Sequence, residues 1–241
     1  MSEARGAVRI AVIDSGVQRV HPHIDATRVG PGFAVMRDGA VVEGAGHDGD
    51  VLGHGTAVTA AIQQWAPDAL CIPVRVFHDA LRASPRALVG AIDAAVEAGA
   101  RLINLSLGTT NPAHSEPLQA AARRALGAGA VIVSAWQAND AFCYPGALAE
   151  VLGVGLDWDC PRDACIVGGT TGPALWASGN PRPIEGVPQR RNLYGVSFAV
   201  ANATGFAARA VSAGLPSHSG TALIRAIAQA AAEIAPGPRP S

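Results

Sequence analysis

The 241-residue chain is 49% hydrophobic and 15% charged, enough apolar material for an ordered core and too much for a mainly disordered chain. Eighteen basic residues, every one Arg, stand against 19 acidic ones for a net charge of −1. That balance argues against a nucleic-acid binder or a polybasic membrane-surface protein, both of which need a concentrated positive field.

The polar start, Met1 to Val8, runs into a short apolar strand over Val8–Ile13. Nothing along the chain reads as a secretion signal or reaches the ~18–20 continuous apolar residues of a membrane span, so a soluble cytoplasmic protein with no membrane partner is expected. Further strands are expected over Leu70–Phe77, Arg101–Leu107, Ala130–Ala135 and Leu152–Leu156, each rich in Val, Ile and Leu, as in a parallel sheet buried on both faces. Between them Thr56–Trp65, Pro85–Ala98 and Glu116–Leu126 space their apolar residues as helices, with Gly99 and Gly127 placed to stop the second and third. Strand, helix, glycine, strand, repeated, is the pattern of right-handed βαβ units. Pro161–Arg191 is dense in Gly, Pro, Ser and Asn and reads as mostly loop. Helical spacing returns over Phe198–Ala213 and Thr221–Ile234, and the three prolines in 235–241 predict a frayed tail. One α/β domain over 1–241 is expected, three layers with a mainly parallel sheet flanked by helices.

Four cysteines, at 71, 143, 160 and 165, suit free thiols in a reducing compartment. Cys160 and Cys165 are near in sequence but lack a CxxC or His-rich partner, so no metal is assigned to them. His21, His23, Asp25, His47, Asp48 and Asp50 leave room for a structural Ca²⁺, with no ligand set to name and no cofactor required. Asp48 and Asp50 read as solvated turn residues. Arg190-Arg191 reads as a solvated loop, or as a meeting point for an acidic leader peptide.

Three residues each sit in a glycine-bearing turn. Asp14 follows the buried strand in Ala11-Val12-Ile13-Asp14-Ser15-Gly16, at the sheet edge where catalytic groups collect in open α/β folds. His54 lies in Gly53-His54-Gly55-Thr56 and Ser197 in Gly195-Val196-Ser197-Phe198-Ala199, both opening helices. Singly, these are a cap residue, a turn histidine and an N-cap serine. Together, Asp then His then Ser is one of the chain orders of the Ser-His-Asp triad. The sequence resembles the subtilase family of serine peptidases, in its compact members associated with ribosomally made peptides. The Asp14, His54 and Ser197 motifs carry the resemblance, with Ile103-Asn104-Leu105-Ser106-Leu107-Gly108, Val131–Ala135 and the phrase Gly155-Leu156-Asp157-Trp158-Asp159.

The resemblance implies a subtilisin-like fold and a serine endopeptidase without a prodomain, cutting a peptide or precursor in the cytoplasm. It implies Ser197 as nucleophile, His54 as base and Asp14 as its orienting partner, with peptide bound along Ser106, Leu107, Gly108, Ser134, Ala135 and Trp136. Family members place a donating Asn after the strand that ends at Ala135. Counting without a gap puts Ala138 there, whereas a one-residue insertion brings Asn139 into place as the candidate oxyanion donor; Asn139 as a plain turn residue is the other reading. Two alternatives stay open: a weakened pseudopeptidase that serves as a peptide-binding scaffold, and a transpeptidase or macrocyclase.

Overall fold

The computed structural model describes residues 6–44, 46–215 and 220–235. The first five residues of the polar start, and the tail beyond Ala235, lie outside the described residues.

In chain order the elements are β1 (Arg9–Asp14), β2 (Phe33–Val35), β3 (Val41–Glu43), α1 (His54–Trp65), β4 (Leu70–Arg75), α2 (Pro85–Glu97), β5 (Leu102–Leu105), α3 (Ser115–Gly127) and β6 (Val131–Ala135). There follow β7 (Gln137–Ala138), β8 (Ala141–Phe142), β9 (Leu152–Leu156), β10 (Cys165–Val167), β11 (Leu175–Ala177), α4 (Val196–Ala213) and α5 (Gly220–Ile234). Nine strands form one sheet in the order β10-β11-β9-β6-β5-β1-β4-β2-β3. Every neighbouring pair is parallel except the two edge pairs, β2–β3 and β10–β11.

Strand alternation sorts side chains between two cores. Ile10 and Val12 of β1 and Val131 and Val133 of β6 pack with α1, α4 and α5. Ala11 and Ile13, with Ile103, Leu105 and Ile132, face α2 and α3 on the other side. Both faces of the central strands are dry, which is why they read as unbroken apolar runs. Helix α2 starts where sequence chemistry puts it: Ser84 caps it by accepting the Ala87 N–H at 3.0 Å, and Pro85 takes the first turn.

The expected helices and main strands are present with ends shifted by a residue or two. Gly99 leaves α2 in the left-handed region at φ 74°, as expected. Gly127, however, is the last residue of α3, and the left-handed turn falls at Gly129, φ 83°. The stretch 161–191, expected as mostly loop, is so apart from β10 and β11. They are three residues each and were invisible to periodicity.

Strand β1 has β4 on one side and β5 on the other, so chain progression reverses beside it and opens a crevice at its carboxyl end. Asp14 is the last residue of β1. The first turn of α1 lies directly on the turn after it. A Cβ on Gly55 would sit 2.3 Å from the Gly16 carbonyl oxygen and 3.1 Å from the Ser15 nitrogen. Gly55 N–H also donates to Ser15 Oγ at 2.8 Å. A methyl group here must push the helix off the turn. Gly55→Ala is expected to cost ~1–3 kcal/mol of stability, read as a lowered Tm in thermal unfolding. An unchanged Tm would contradict this packing.

Candidate active site

Asp14, His54 and Ser197 converge at the carboxyl edge of the sheet from β1 and from the first turns of α1 and α4. Asp14 is fully buried, and its Oδ1 accepts the Ser15 N–H at 2.8 Å and lies 2.7 Å from His54 Nδ1. Its Oδ2 is buried with no hydrogen-bond partner, so the imidazole is one of only two donors answering a buried carboxylate. With a proton on Nδ1 donated to Asp14, the other ring nitrogen, Nε2, is left with its lone pair. The His54 ring, 15% exposed, rests against Phe198 with centroids 5.8 Å apart, which sets it beside the residue after Ser197.

Ser197 occupies the second position of α4, behind Gly195, whose φ of 135° admits few other residues. Its hydroxyl donates to the Ser106 carbonyl at 3.2 Å. A hydroxyl has one proton, so in this conformation it is not donated to His54. Behind this pair runs a buried polar chain: Thr204 Oγ1 donates to Asn104 Oδ1 at 2.9 Å, and Asn104 Nδ2 to Ser106 Oγ at 2.8 Å. Asn202 is fully buried and donates to the Ser178 and Asn180 carbonyls at 3.0 Å each, while its Oδ1 accepts the Trp65 indole N–H at 2.9 Å. That side chain ties α4 to α1 and to the chain after β11, and so fixes where Ser197 sits relative to His54.

Asp50 and Asp48 are not the solvated turn residues the sequence suggested. Gly53 precedes α1 and has no side chain to cap it, and Asp50 supplies the carboxylate instead. Its Oδ1 accepts Leu52 N–H at 2.9 Å and Gly53 N–H at 2.8 Å; its Oδ2 accepts Thr56 N–H at 2.8 Å and the Thr56 hydroxyl at 2.6 Å. An acidic group on the positive end of a helix is favourable. Asp48 is bound by Arg19 at 2.5 Å. A carboxylate four residues ahead of His54 with a Thr two residues after it was the available signal for the cap.

Burial pulls the His54 pKa down, but the Asp14 hydrogen bond, the Asp14 charge and the Asp50 charge together outweigh it, and the net direction is upward from 6.5. The protonated pair therefore adds stability below pH 6.5 that fades as pH rises through the higher folded-state value.

The residues expected to hold a peptide lie at the carboxyl ends of two neighbouring parallel strands, Ser106 to Gly108 after β5 and Ser134 to Trp136 at the end of β6. Past Ser106, the backbones of Leu107 and Gly108 make no backbone hydrogen bond among the described residues, and the chain pairs again at Thr109, with Tyr144 at 2.8 and 2.9 Å. Ser134 and Ala135, in β6, are fully buried. Trp136 packs edge-on against Phe142, centroids 5.1 Å apart. Asn139 and Asp140 form the two-residue tip of the β7–β8 hairpin at φ 50° and 60°, both exposed, with Ala138 paired to Ala141. Two consecutive left-handed residues are the requirement of this kind of hairpin turn, for which Asn and Asp are well suited. The turn by itself explains an Asn at 139.

All four cysteines are free and buried. Burial raises Cys71 and Cys165 to about 12 and Cys143 and Cys160 to about 11, so none is a thiolate nucleophile at neutral pH. Among the described residues no three His, Cys, Asp or Glu side chains cluster as a metal site, and no helix is long and apolar enough to cross a membrane.

The profile described as the Subtilase family matches residues 5–238. The chain belongs to the subtilase family. It is 33% identical over 159 residues to thermitase of Thermoactinomyces vulgaris, an alignment covering 64% of this chain and 56% of that protein. It is 28% identical over 156 residues to subtilisin DY of Bacillus licheniformis, covering 61% and 56%. The matched segment is thus a little over half the length of either relative. Among solved structures it resembles a lanthipeptide protease, with TM-score 0.66 and 20% identity over 91% of this chain and 79% of the other. It also resembles a cold adapted subtilisin-like serine proteinase, with TM-score 0.65 and 20% identity over 91% and 80%. These likenesses establish the subtilisin-like α/β fold.

The proton balance at His54 is directly measurable. In an NMR titration the His54 imidazole is expected to titrate above 6.5, and lower in Asp50→Asn, which removes one of the two charges holding it up. A wild-type midpoint at or below 6.5, or no downward shift in the variant, would contradict the electrostatics.

Proposed function

We propose that this subtilase is a serine endopeptidase that cuts a peptide or precursor peptide through an acyl-enzyme on Ser197, in the cytoplasm. The observation that carries the reading is the buried Asp14–His54 pair, 2.7 Å apart, set beside the first turn of α4 that bears Ser197. A lanthipeptide protease among the similar folds supports a precursor peptide as substrate.

The chemistry follows from the atoms. Ser197 Oγ turns from the Ser106 carbonyl toward His54 Nε2, gives up its proton there and attacks the scissile carbonyl carbon. Asp14 holds the imidazolium through Nδ1. As the tetrahedral intermediate collapses, the C–N bond breaks and His54 returns the proton to the leaving amine. Water then repeats the sequence on the ester and frees Ser197. The substrate lies extended along Leu107 and Gly108, whose free backbone groups accept it as an added strand.

The oxyanion is the weak part of this machine. The Ser197 N–H lies in the first turn of α4, where the amides have no intrahelical partner, and it serves as one donor. Counted without a gap, the second donor position holds the methyl of Ala138, and with a one-residue insertion it holds Asn139, at the tip of the β7–β8 hairpin. The first register favours a slow enzyme and keeps a second reading in view, a peptide-binding scaffold with residual or no turnover.

Three variants separate these readings. Ser197→Ala is expected to remove peptide cleavage and labelling by a fluorophosphonate while retaining the fold by circular dichroism. Wild-type turnover in that variant would end the peptidase reading, and a wild-type chain that neither cleaves nor labels leaves the scaffold. Ala138→Asn is expected to raise kcat about tenfold with little change in KM, because a donor aimed at the oxyanion acts only in the transition state. If Asn139→Ala alone lowers kcat ~10²-fold, Asn139 is the donor and the missing-donor account is wrong.

A further inference from the structure

Resting on the peptidase reading, we propose that a cationic cavity beside His54 makes this chain prefer peptides carrying a carboxylate on the leaving side of the cut. The cavity, of about 490 Å³, lies between the start of α1 and residues 181–193. Thr56 and Ala57, two and three residues beyond His54, form its inner wall, and none of the rim residues Ser106–Gly108 or Ser134–Trp136 lines it. With the acyl half of the peptide on that rim, and His54 handing its proton to the departing amine, the segment past the scissile bond leaves over α1.

The wall has two kinds of surface. Val51 and Leu193 are apolar and 66% and 48% exposed. Arg182 and Arg191 are cationic and, among the described residues, neither is paired with a carboxylate, although Arg19, Arg28, Arg37, Arg123 and Arg124 each are. Asp50 also lines the cavity, but both its oxygens are taken up by the α1 cap. The positive field extends behind the wall. Arg162 lies near enough to Arg182 for their charges to repel, its Nη2 is buried with no hydrogen-bond partner, and burial together with Arg182 lowers its pKa to about 10. His23, whose carbonyl accepts from Arg182 at 3.0 Å, is likewise lowered, by burial, Arg182 and His21. Asp163 offsets part of the repulsion at Arg162. Among the described residues Asp50 is the one carboxylate on the wall against Arg182 and Arg191, so the cavity keeps a net positive charge. An arriving carboxylate is drawn to it while forming charge-assisted hydrogen bonds to the guanidinium groups. An Asp or Glu side chain and a free peptide terminus present the same group, and a peptide set tells them apart.

The test uses the whole chain and a proteome-derived peptide library, with cut sites read by mass spectrometry. Peptides are then synthesised for one observed cut, with Glu, Gln or Lys in each of the first three positions after it, amidated or free at the carboxyl end. Expected is a kcat/KM about tenfold higher for the Glu peptide, or for the free-ended one, than for the amidated Gln peptide, and lowest for Lys. The Glu/Gln ratio is expected to fall toward one in Arg191→Gln, an exposed position, and in Arg182→Gln. Equal rates for Glu, Gln and free-ended peptides in the wild type overturn the preference while leaving the peptidase reading standing. A chain that cuts nothing and takes no fluorophosphonate overturns both.

Discussion

The hydrogen bond between the buried Asp14 carboxylate and His54 Nδ1 is the constraint around which the site is arranged. A carboxylate at zero exposure with one oxygen unpartnered is tolerable only if the donors it has are held in place. The fold holds them by stacking the first turn of α1 on the turn after β1, so tightly that Gly55 has no room for a Cβ. Asp50 then fastens that same turn from the front by accepting four donors. Its charge also favours the protonated ring, so the group that builds the helix start also tunes the base. Packing, capping and proton affinity here are one set of contacts.

The position of Ser197 is fixed by a different set. Helix α4 is buried nearly along its length, and Ser197 is carried in on it as a rigid attachment. Asn202 sets the rotation of that helix against α1 and the end of β11, and the Thr204–Asn104–Ser106 chain sets it against β5. Buried polar side chains such as these are stable only when satisfied, which makes them position-specific in a way that alanine contacts are not. Ser106 stands at the junction: its carbonyl holds the resting Ser197 hydroxyl, and its backbone begins the rim on which a peptide strand is proposed to add.

Much of this was legible in the sequence because it rests on short-range signals. Unbroken Val, Ile and Leu runs identified the buried strands, and Pro85 and Gly99 marked the limits of α2. Three glycine-bearing turns in Asp, His, Ser order marked the groups that the topology brings together. What was not legible depends on distant partners. Asp50 looks like any loop aspartate until α1 is placed over it, and Asn202 like a polar residue in an alanine-rich helix until Trp65 and Ser178 are beside it. The strands of 161–191 are too short for periodicity to register. Arg182 could be read only as a loop charge, and Arg191 as that or as a meeting point for an acidic leader, since their lack of carboxylate partners among the described residues is a property of the folded surface.

The central claim is that neutral His54, held by Asp14, is the base that activates Ser197. The rate at which a fluorophosphonate labels Ser197, followed from pH 5 to 9, tests it without a known substrate. The account predicts a rate that rises with the neutral fraction of His54, with a midpoint above 6.5 that coincides with the imidazole titration, and collapses in His54→Ala. A pH-independent rate, or undiminished labelling in His54→Ala, would contradict it.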